Sequence, residues 1–175
     1  MRVWFTSDTH FGAERTLILS KRPFKSVEEM DNCLINDWNS LIREGDDVYH
    51  LGDFGDYSVV PKLNGNIHLI KGNYEVADGY SDEEFLAMGF ASVHDTLIET
   101  FVYNHGIVTL SMAHKPSDVD KKYDCLFGHV HKLSMVKRFG INVGADCHNY
   151  KPINIDTAMF YLNNIKNYYD DDVFM

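Results

Sequence analysis

The chain has 175 residues, of which 26 are acidic and 16 are basic, so its formal net charge is −10. This length suits a single domain spanning residues 1–175, with a core large enough for two packed sheets or a helix-covered sheet. The acidic balance argues against binding of long nucleic acids, which depends on basic surface. No apolar run approaches the roughly 20 residues of a membrane span, and the start lacks the long apolar stretch of a signal peptide. We therefore expect a cytoplasmic protein without membrane contact.

Predicted strands and helices alternate in the first part of the chain. Three apolar segments followed by polar loops predict strands: RVWFTS at 2–7, DDVYHLGDFGD at 46–56 and NIHLIKGNYE at 66–75. A Ser-x-x-Glu capping box at Ser26–Glu29 precedes apolar residues at helical spacing, which predicts a helix near 27–43. A second capping box at Ser81–Glu84 predicts a short helix.

The second part of the chain is rich in predicted strands. Strand-like segments there are 91–113, 123–131 and 139–146. Within the first of them, Asn104–Gly106 predicts a hairpin turn. Residues 155–169 predict a terminal helix capped by Asp156, followed by an acidic tail at about 169–175. This order of elements predicts an α/β fold with mixed sheets and helices on the outside.

Polar clusters follow the C-terminal ends of the predicted strands. They are Asp8-Thr9-His10, Gly52-Asp53, Gly72-Asn73, Ala113-His114 and Gly128-His129-Val130-His131. Side chains two residues apart on an extended segment point the same way, so Asp8 with His10 can aim two ligands at one point, as can His129 with His131. Open α/β sheets bind ligands beyond the carboxyl ends of their strands, so these loops can converge. Each cluster alone is a weak signal, and the ordered set carries the prediction.

These clusters supply seven candidate metal ligands, namely Asp8, His10, Asp53, Asn73, His114, His129 and His131. Imidazoles and carboxylates without thiolates suit Mn²⁺, Fe, Co²⁺, Ni²⁺ or Zn²⁺ better than Mg²⁺. Seven ligands are too many for one tetrahedral site and suit two ions that share a bridge. Paired ions roughly 3.5–4 Å apart generate a metal-bound hydroxide and stabilise the charge of an in-line displacement at phosphorus. We expect two divalent transition-metal ions, with Mn²⁺ first among the candidates.

In these motifs and their order, the chain closely resembles the calcineurin-like metallophosphoesterases from residue 3 to about 155. KRPFKSVEEMDNCLINDWNSLI, VYHLGDF and NVGADCHNYKPINID resemble a small bacterial and phage branch of that family. The resemblance implies a four-layer α/β/β/α sandwich of two mixed sheets. It also implies a dinuclear metal site at the C-terminal ends of the strands. The implied ligands are Asp8, His10 and His131 on the first metal, Asn73, His114 and His129 on the second, and Asp53 as the bridge.

One position departs from the family pattern, which is Gly-Asn-His followed by Asp or Glu. This chain has Gly72-Asn73-Tyr74-Glu75 instead. The family histidine faces the substrate and helps to protonate the leaving oxygen, so the resemblance places Tyr74 in a catalytic and substrate-binding position. His148 could supply the missing imidazole, or it is a surface histidine. Arg22 could contact phosphate, or it is an exposed charge beside a helix.

The leading functional prediction is hydrolysis of small phosphomonoesters or phosphodiesters, including nucleotides, at a two-metal centre. One alternative is a metal-dependent nuclease, which the net charge of −10 opposes. Another is a metal-binding regulatory protein that has little turnover because it lacks the family histidine. Retention of all seven candidate ligands argues against that second alternative.

Overall fold

The computed structural model describes residues 2–170. Its strands are β1 (Val3–Thr6), β2 (Asp47–His50), β3 (Asn66–Ile70), β4 (Ser92–His94), β5 (Thr96–Tyr103), β6 (Gly106–Ala113), β7 (Asp124–Phe127), β8 (Val136–Lys137), β9 (Gly140–Asn142) and β10 (Ile153–Asn154). Its α-helices are α1 (Glu14–Leu19), α2 (Val27–Leu41), α3 (Asn73–Asp78), α4 (Asp82–Ala87) and α5 (Ile155–Tyr168). Short 3₁₀ helices lie at Tyr57–Lys62, His131–Leu133 and Ala145–Cys147.

The strands form two mixed five-stranded sheets, as the sequence predicts. The first has the order β10-β1-β2-β3-β4, and the second has the order β5-β6-β7-β9-β8. In the first sheet β1 to β4 run parallel and β10 pairs antiparallel with β1. In the second sheet β6, β7 and β9 run parallel, while β5 and β8 are antiparallel to their neighbours. The parallel strands of each sheet therefore end at a common edge.

The two common edges meet beyond the ends of β1 and β9. Ser7 forms a parallel bridge with Gly144. The backbone N–H of Ala145 donates to the Ser7 carbonyl at 2.9 Å. Loops from both sheets are thereby held at one end of the sandwich, where the predicted polar clusters lie.

Two apolar clusters stabilise this arrangement. On the outer face of the first sheet, Trp4 and Leu69 are buried against α2, whose buried residues Met30, Leu34 and Trp38 recur every four positions along one helix face. Between the sheets, strand residues from both sides pack together, including Phe5, Tyr49, Leu110, Met112 and Leu126. Burial of each such side chain contributes about 1.5–3 kcal/mol.

The two outer faces are covered differently. Helix α2 covers the first sheet and forms the outer helical layer that was expected there. On the second sheet, Cys125 and Phe127 point outward and pack with Val119, which belongs to the chain between β6 and β7. Helix α5 buries Ala158 and Leu162 in the cluster between the sheets. Among residues 2–170, no helix has the length and apolar character needed to cross a membrane.

The structure departs from the predicted elements at several places. Residues 73–78, expected as the end of a strand and its loop, form α3, because the Glu75 carboxylate accepts the Gly72 N–H at 2.8 Å and starts a helix there. Helix α1 and strand β8 have no counterpart in the prediction. Asn154, rather than Asp156, caps α5 by accepting the Thr157 N–H at 2.9 Å. The predicted acidic tail extends beyond the described residues.

Candidate metal centre

The seven predicted ligands lie beyond the C-terminal ends of five strands. Asp8 and His10 follow β1, Asp53 follows β2, Asn73 begins α3 after β3, His114 follows β6, and His129 and His131 follow β7. The structure brings all seven together in overlapping groups at the edge where the two sheets meet. Loops from both sheets therefore place these seven side chains at one location.

One group consists of Asp8, His10 and His131, whose ligand atoms all lie within 4.8 Å of one another. Nε2 of His10 and Nε2 of His131 are each 3.9 Å from Oδ1 of Asp8. The two imidazole rings stack with centroids 5.2 Å apart. This is the residue set that the family resemblance assigns to the first metal.

A second group consists of Asp8, Asp53 and His114, again within 4.8 Å. Oδ2 of Asp53 lies 3.5 Å from Nε2 of His114 and 3.7 Å from Nε2 of His10, so this carboxylate stands between the two groups. Nδ1 of His129 is 3.2 Å from Nε2 of His114. Nδ2 of Asn73 is 3.1 Å from Nδ1 of His129. The remaining predicted ligands thus join the second group.

The backbone of these loops is unusual. Five of the seven residues have positive φ: Asp8 (55°), His10 (51°), Asp53 (56°), His129 (70°) and His131 (45°). Residues other than glycine rarely adopt this conformation, and its cost of about 1–3 kcal/mol each is typically tolerated at functional sites. The prediction assumed that Asp8 with His10, and His129 with His131, lie on extended segments. That assumption is wrong, because these residues have left-handed backbone conformations. Left-handed residues turn the chain and aim the ligands.

Hydrogen bonds fix which ring nitrogen faces the site. Nδ1–H of His114 donates to the Leu51 carbonyl at 2.8 Å, and Nδ1–H of His131 donates to Oδ2 of Asp146 at 2.7 Å. Because Nδ1 of each ring is engaged as a donor, Nε2 is the nitrogen directed toward the site carboxylates. Asp146 was missed in the sequence, where it is simply the end of a predicted strand.

His10 supplies the most direct test of whether a cation fits. Its side chain is buried, and both of its ring nitrogens lack a hydrogen-bond partner within residues 2–170. A buried polar atom without a partner is costly. Burial lowers the pKa of His10 to about 2, so the ring is neutral and can offer a lone pair. Two nearby buried carboxylates, Asp8 and Asp53, add negative charge, so the donor set fits divalent transition metals.

Hydrogen bonds to Glu75 connect the loop after β2 with the loop after β3. Its buried carboxylate accepts the backbone N–H groups of Asp53, Phe54 and Gly72, each at 2.8 Å. The two loops are so close that a Cβ added to Gly52 would lie 2.6 Å from the Gly72 Cα. This contact explains why glycine precedes both Asp53 and Asn73. The capping signal Gly-x-x-Glu could have identified the role of Glu75.

Arg22 is neither free to contact phosphate nor exposed, the two possibilities that the sequence offered. Its side chain is fully buried, and its guanidinium donates to the carbonyls of Asp8 (2.6 Å) and Thr9 (2.7 Å). Further donors reach the Asp146 carboxylate at 3.1 and 3.0 Å and Sδ of Met30 at 3.4 Å. All five N–H donors of a guanidinium are used in this way. Arg22 therefore holds the Asp8–Thr9 loop and has no donor left for phosphate.

His148 is also directed away from the site. Its Nε2–H donates to the Asn142 carbonyl at 2.8 Å. Burial lowers its pKa, which favours the neutral ring. It is absent from the described residues that line the cavity beside the candidate ligands. The prediction that His148 replaces the missing family histidine is therefore wrong.

Tyr74 lies beside the candidate ligands. Its ring meets the His10 ring edge-on at 4.8 Å, and its backbone N–H donates to Oδ1 of Asp53 at 3.0 Å. It lines a cavity of about 930 Å³ together with residues of both ligand groups. The other lining residues include three basic side chains and two exposed leucines, which are Arg15, Lys21, Lys132, Leu19 and Leu133.

Comparison with known proteins identifies relatives of this chain. An uncharacterized protein of Methanocaldococcus jannaschii is 28% identical over 164 residues, covering 89% of this chain and 88% of that protein. The gene 66 protein of Mycobacterium phage L5 is 32% identical over 81 residues, which are 41% of this chain and 39% of that protein.

A crystal structure of an Aquifex aeolicus protein of unknown function has the same fold. It superposes with a TM-score of 0.70 at 22% identity, covering 91% of this chain and 98% of that chain. The model of the calcineurin-like phosphoesterase superfamily domain matches residues 1–164. With the match extending over nearly its whole length, the chain belongs to the calcineurin-like phosphoesterase superfamily.

Proposed function

We propose that the protein is a dinuclear metal-dependent phosphoesterase that hydrolyses small phosphomonoesters or phosphodiesters. The supporting observation is the pair of three-residue ligand groups that share the buried carboxylate of Asp8. Asp53 lies between these groups, within 3.7 Å of His10 and 3.5 Å of His114. Two neighbouring cation sites with a common carboxylate suit a phosphate group, whose oxygens need positive charge around them.

Asp8, His10 and His131 would hold one ion, and Asn73, His114 and His129 the other, with Asp53 touching both. When bound, two divalent ions, Mn²⁺ first among them, supply an activated water and neutralise charge on the phosphate oxygens. Two hydrogen bonds keep the imidazoles oriented: His131 donates to the Asp146 carboxylate, and His114 donates to the Leu51 carbonyl. The chain also keeps the carboxylates away from bulk water.

Tyr74 limits what the chain can do for the leaving group. A phenol is a weaker acid than an imidazolium ion, so it is a poorer general acid for the leaving oxygen. It can still donate a hydrogen bond to a phosphate oxygen. His148 is committed to the Asn142 carbonyl and cannot substitute. The enzyme should therefore prefer esters whose leaving groups depart without protonation.

Hydrolysis of bis(p-nitrophenyl) phosphate and p-nitrophenyl phosphate by the Mn²⁺-reconstituted protein tests this proposal. We expect turnover that a chelator abolishes, and an Asp53→Asn variant that loses most of it. Asp156→Asn, an exposed carboxylate on α5, is the matched control and should retain turnover. The proposal fails if Mn²⁺, Fe²⁺, Co²⁺, Ni²⁺ and Zn²⁺ all leave both substrates intact, or if Asp53→Asn is as active as the control.

A further inference from the structure

Three basic side chains line the cavity beside the candidate metal centre. They are Arg15, Lys21 and Lys132, and all three are exposed. Within residues 2–170, none of them forms an ion pair with an acidic side chain. The chain as a whole has a formal charge of −10. Among the described residues that line the cavity, these three cations outnumber the one carboxylate, Asp53, so the cavity favours anions.

Two of these cations are positioned by the network that orients the candidate ligands. The Asp146 carboxylate binds both Arg22 (3.0 Å) and His131 (2.7 Å), and these residues are the chain neighbours of Lys21 and Lys132. Nζ of Lys132 donates to the Lys21 carbonyl at 3.3 Å. Lys21 and Lys132 are therefore neighbours at the edge of the cavity, beside the candidate ligand His131, and with Arg15 they form its cationic rim.

Two residues at this edge of the cavity have backbone conformations that cost free energy. Lys21 has a φ of 47° and His131 a φ of 45°. Left-handed backbone at residues other than glycine persists where the surrounding contacts impose it, and it concentrates at sites of function. For Lys21, those contacts are the neighbouring Arg22 bonds and the carbonyl that it offers to Lys132.

The rest of the cavity offers room and apolar surface. Its volume of about 930 Å³ is near the upper end of the roughly 300–1,000 Å³ typical of pockets for small organic ligands. Leu19 and Leu133 line it while being 67% and 91% exposed. A free phosphate ion would occupy only a small part of this space. The cavity thus suits a ligand with a carbon skeleton and more than one anionic group.

We infer that the substrate is a small organic bisphosphate, in which one phosphoryl group lies at the metal centre and the second binds Arg15, Lys21 and Lys132. This inference rests on the proposed function. Lysine ammonium groups bind phosphate as point charges, and an arginine can add paired N–H bonds. Leu19, Leu133 and Tyr74 provide apolar surface for the skeleton between the two groups.

Two nucleotides that differ by one phosphoryl group test the inference. Adenosine 5′-monophosphate and adenosine 3′,5′-bisphosphate compete with bis(p-nitrophenyl) phosphate in Mn²⁺, and their inhibition constants are compared at fixed ionic strength. We expect the bisphosphate to bind about 10-fold more tightly, because charge-assisted hydrogen bonds contribute on that scale. This ratio should fall to about 2-fold or less in a Lys21→Gln, Lys132→Gln double variant, and it should fall with added salt.

Lys122→Gln provides the matched control, since this exposed lysine precedes β7 at the end of the strand opposite His129. It should keep the 10-fold ratio. Equal inhibition by both nucleotides, or an unchanged ratio in the double variant, would overturn the inference. So would a single-stranded oligonucleotide that competes more strongly than the bisphosphate, because a polymer would then account for the cations.

Calorimetric titration of both nucleotides into the Mn²⁺-loaded protein separates this inference from the proposed function. It measures the same ratio without requiring turnover. A bisphosphate preference in a protein that hydrolyses no ester would support the cationic rim and overturn the proposed function. Turnover of the aryl diester without any bisphosphate preference would overturn the inference alone.

Discussion

The Asp146 carboxylate accepts the Nδ1–H of His131 at 2.7 Å and binds the Arg22 guanidinium through both of its oxygens. Arg22 in turn holds the carbonyls of Asp8 and Thr9. A single buried carboxylate therefore connects the loop after β1 with the loop after β7. The hydrogen bond from the imidazole also raises the pKa of His131.

Asp146→Asn should weaken metal binding and also lower stability, because it leaves the buried Arg22 guanidinium without a negatively charged partner. Asparagine keeps one accepting oxygen, but it removes the negative charge that makes the His131 ring a stronger ligand. Loss of such a partner typically lowers metal affinity about 10–100-fold. Calorimetric titration with Mn²⁺ or Zn²⁺ measures the change, with Asp156→Asn as the matched control. Equal affinities in the two variants would contradict the role assigned to Asp146.

Tyr74 should set how strongly the rate depends on the leaving group. Tyr74→His introduces a group with a pKa near 6.5 that can donate a proton at neutral pH, so alkyl esters should gain most. Tyr74→Phe should cost little, since the phenol is not expected to donate a proton. The measurement is kcat/KM across phosphate esters with leaving groups of graded pKa. Loss of all turnover in Tyr74→Phe would show that the phenol is required.

Glu75→Gln should destabilise the protein and loosen the metal centre together. The carboxylate accepts three backbone N–H groups, whereas the glutamine amide would direct an N–H at one of those donors. A buried donor left without an acceptor costs about 1–3 kcal/mol in the free energy of unfolding. Urea denaturation of the metal-free protein measures this loss. Glu84→Gln, at the exposed cap of α4, should change stability far less.

Asp46 should contribute to stability in a pH-dependent way. Burial raises the pKa of this carboxyl, but hydrogen bonds from the backbone N–H groups of Arg2 and Arg43 and from Trp4 Nε1 outweigh it and lower the pKa to about 2. A depressed folded-state pKa stabilises the fold above the unfolded value near 3.9, and this contribution is lost as pH falls toward 2.

Urea denaturation of the wild type and Asp46→Asn across pH 2–7 measures that contribution. The difference in unfolding free energy should be largest and constant above about pH 5 and should shrink below pH 4. Asp95, which is 85% exposed, provides the control variant Asp95→Asn. A difference that does not vary with pH would show that the carboxylate charge is not what stabilises this position.

Local patterns in the sequence were sufficient to predict β1 to β3 and the loops that carry the candidate ligands. Apolar runs predict β1 to β3, and the polar residue after each run marks where a parallel strand ends. Arg22 and Asp146 could not be recognised, since their contact joins residues far apart in the chain. Residue type alone does not specify the positive φ of Asp8 or His131, because the surrounding hydrogen bonds impose it.

The antiparallel pairing of β1 with β10 has a consequence for synthesis of the protein. Trp4 and Phe5 face Asn154 and Ile153, so β1 is completed by a strand that lies about 150 residues later in the chain. At roughly 5–20 residues per second, the ribosome releases the partner strand about 7–30 s after β1. During that interval β1 has an open edge that can pair with other chains. Until β10 pairs with it, this edge of β1 is therefore a place where association between chains is expected.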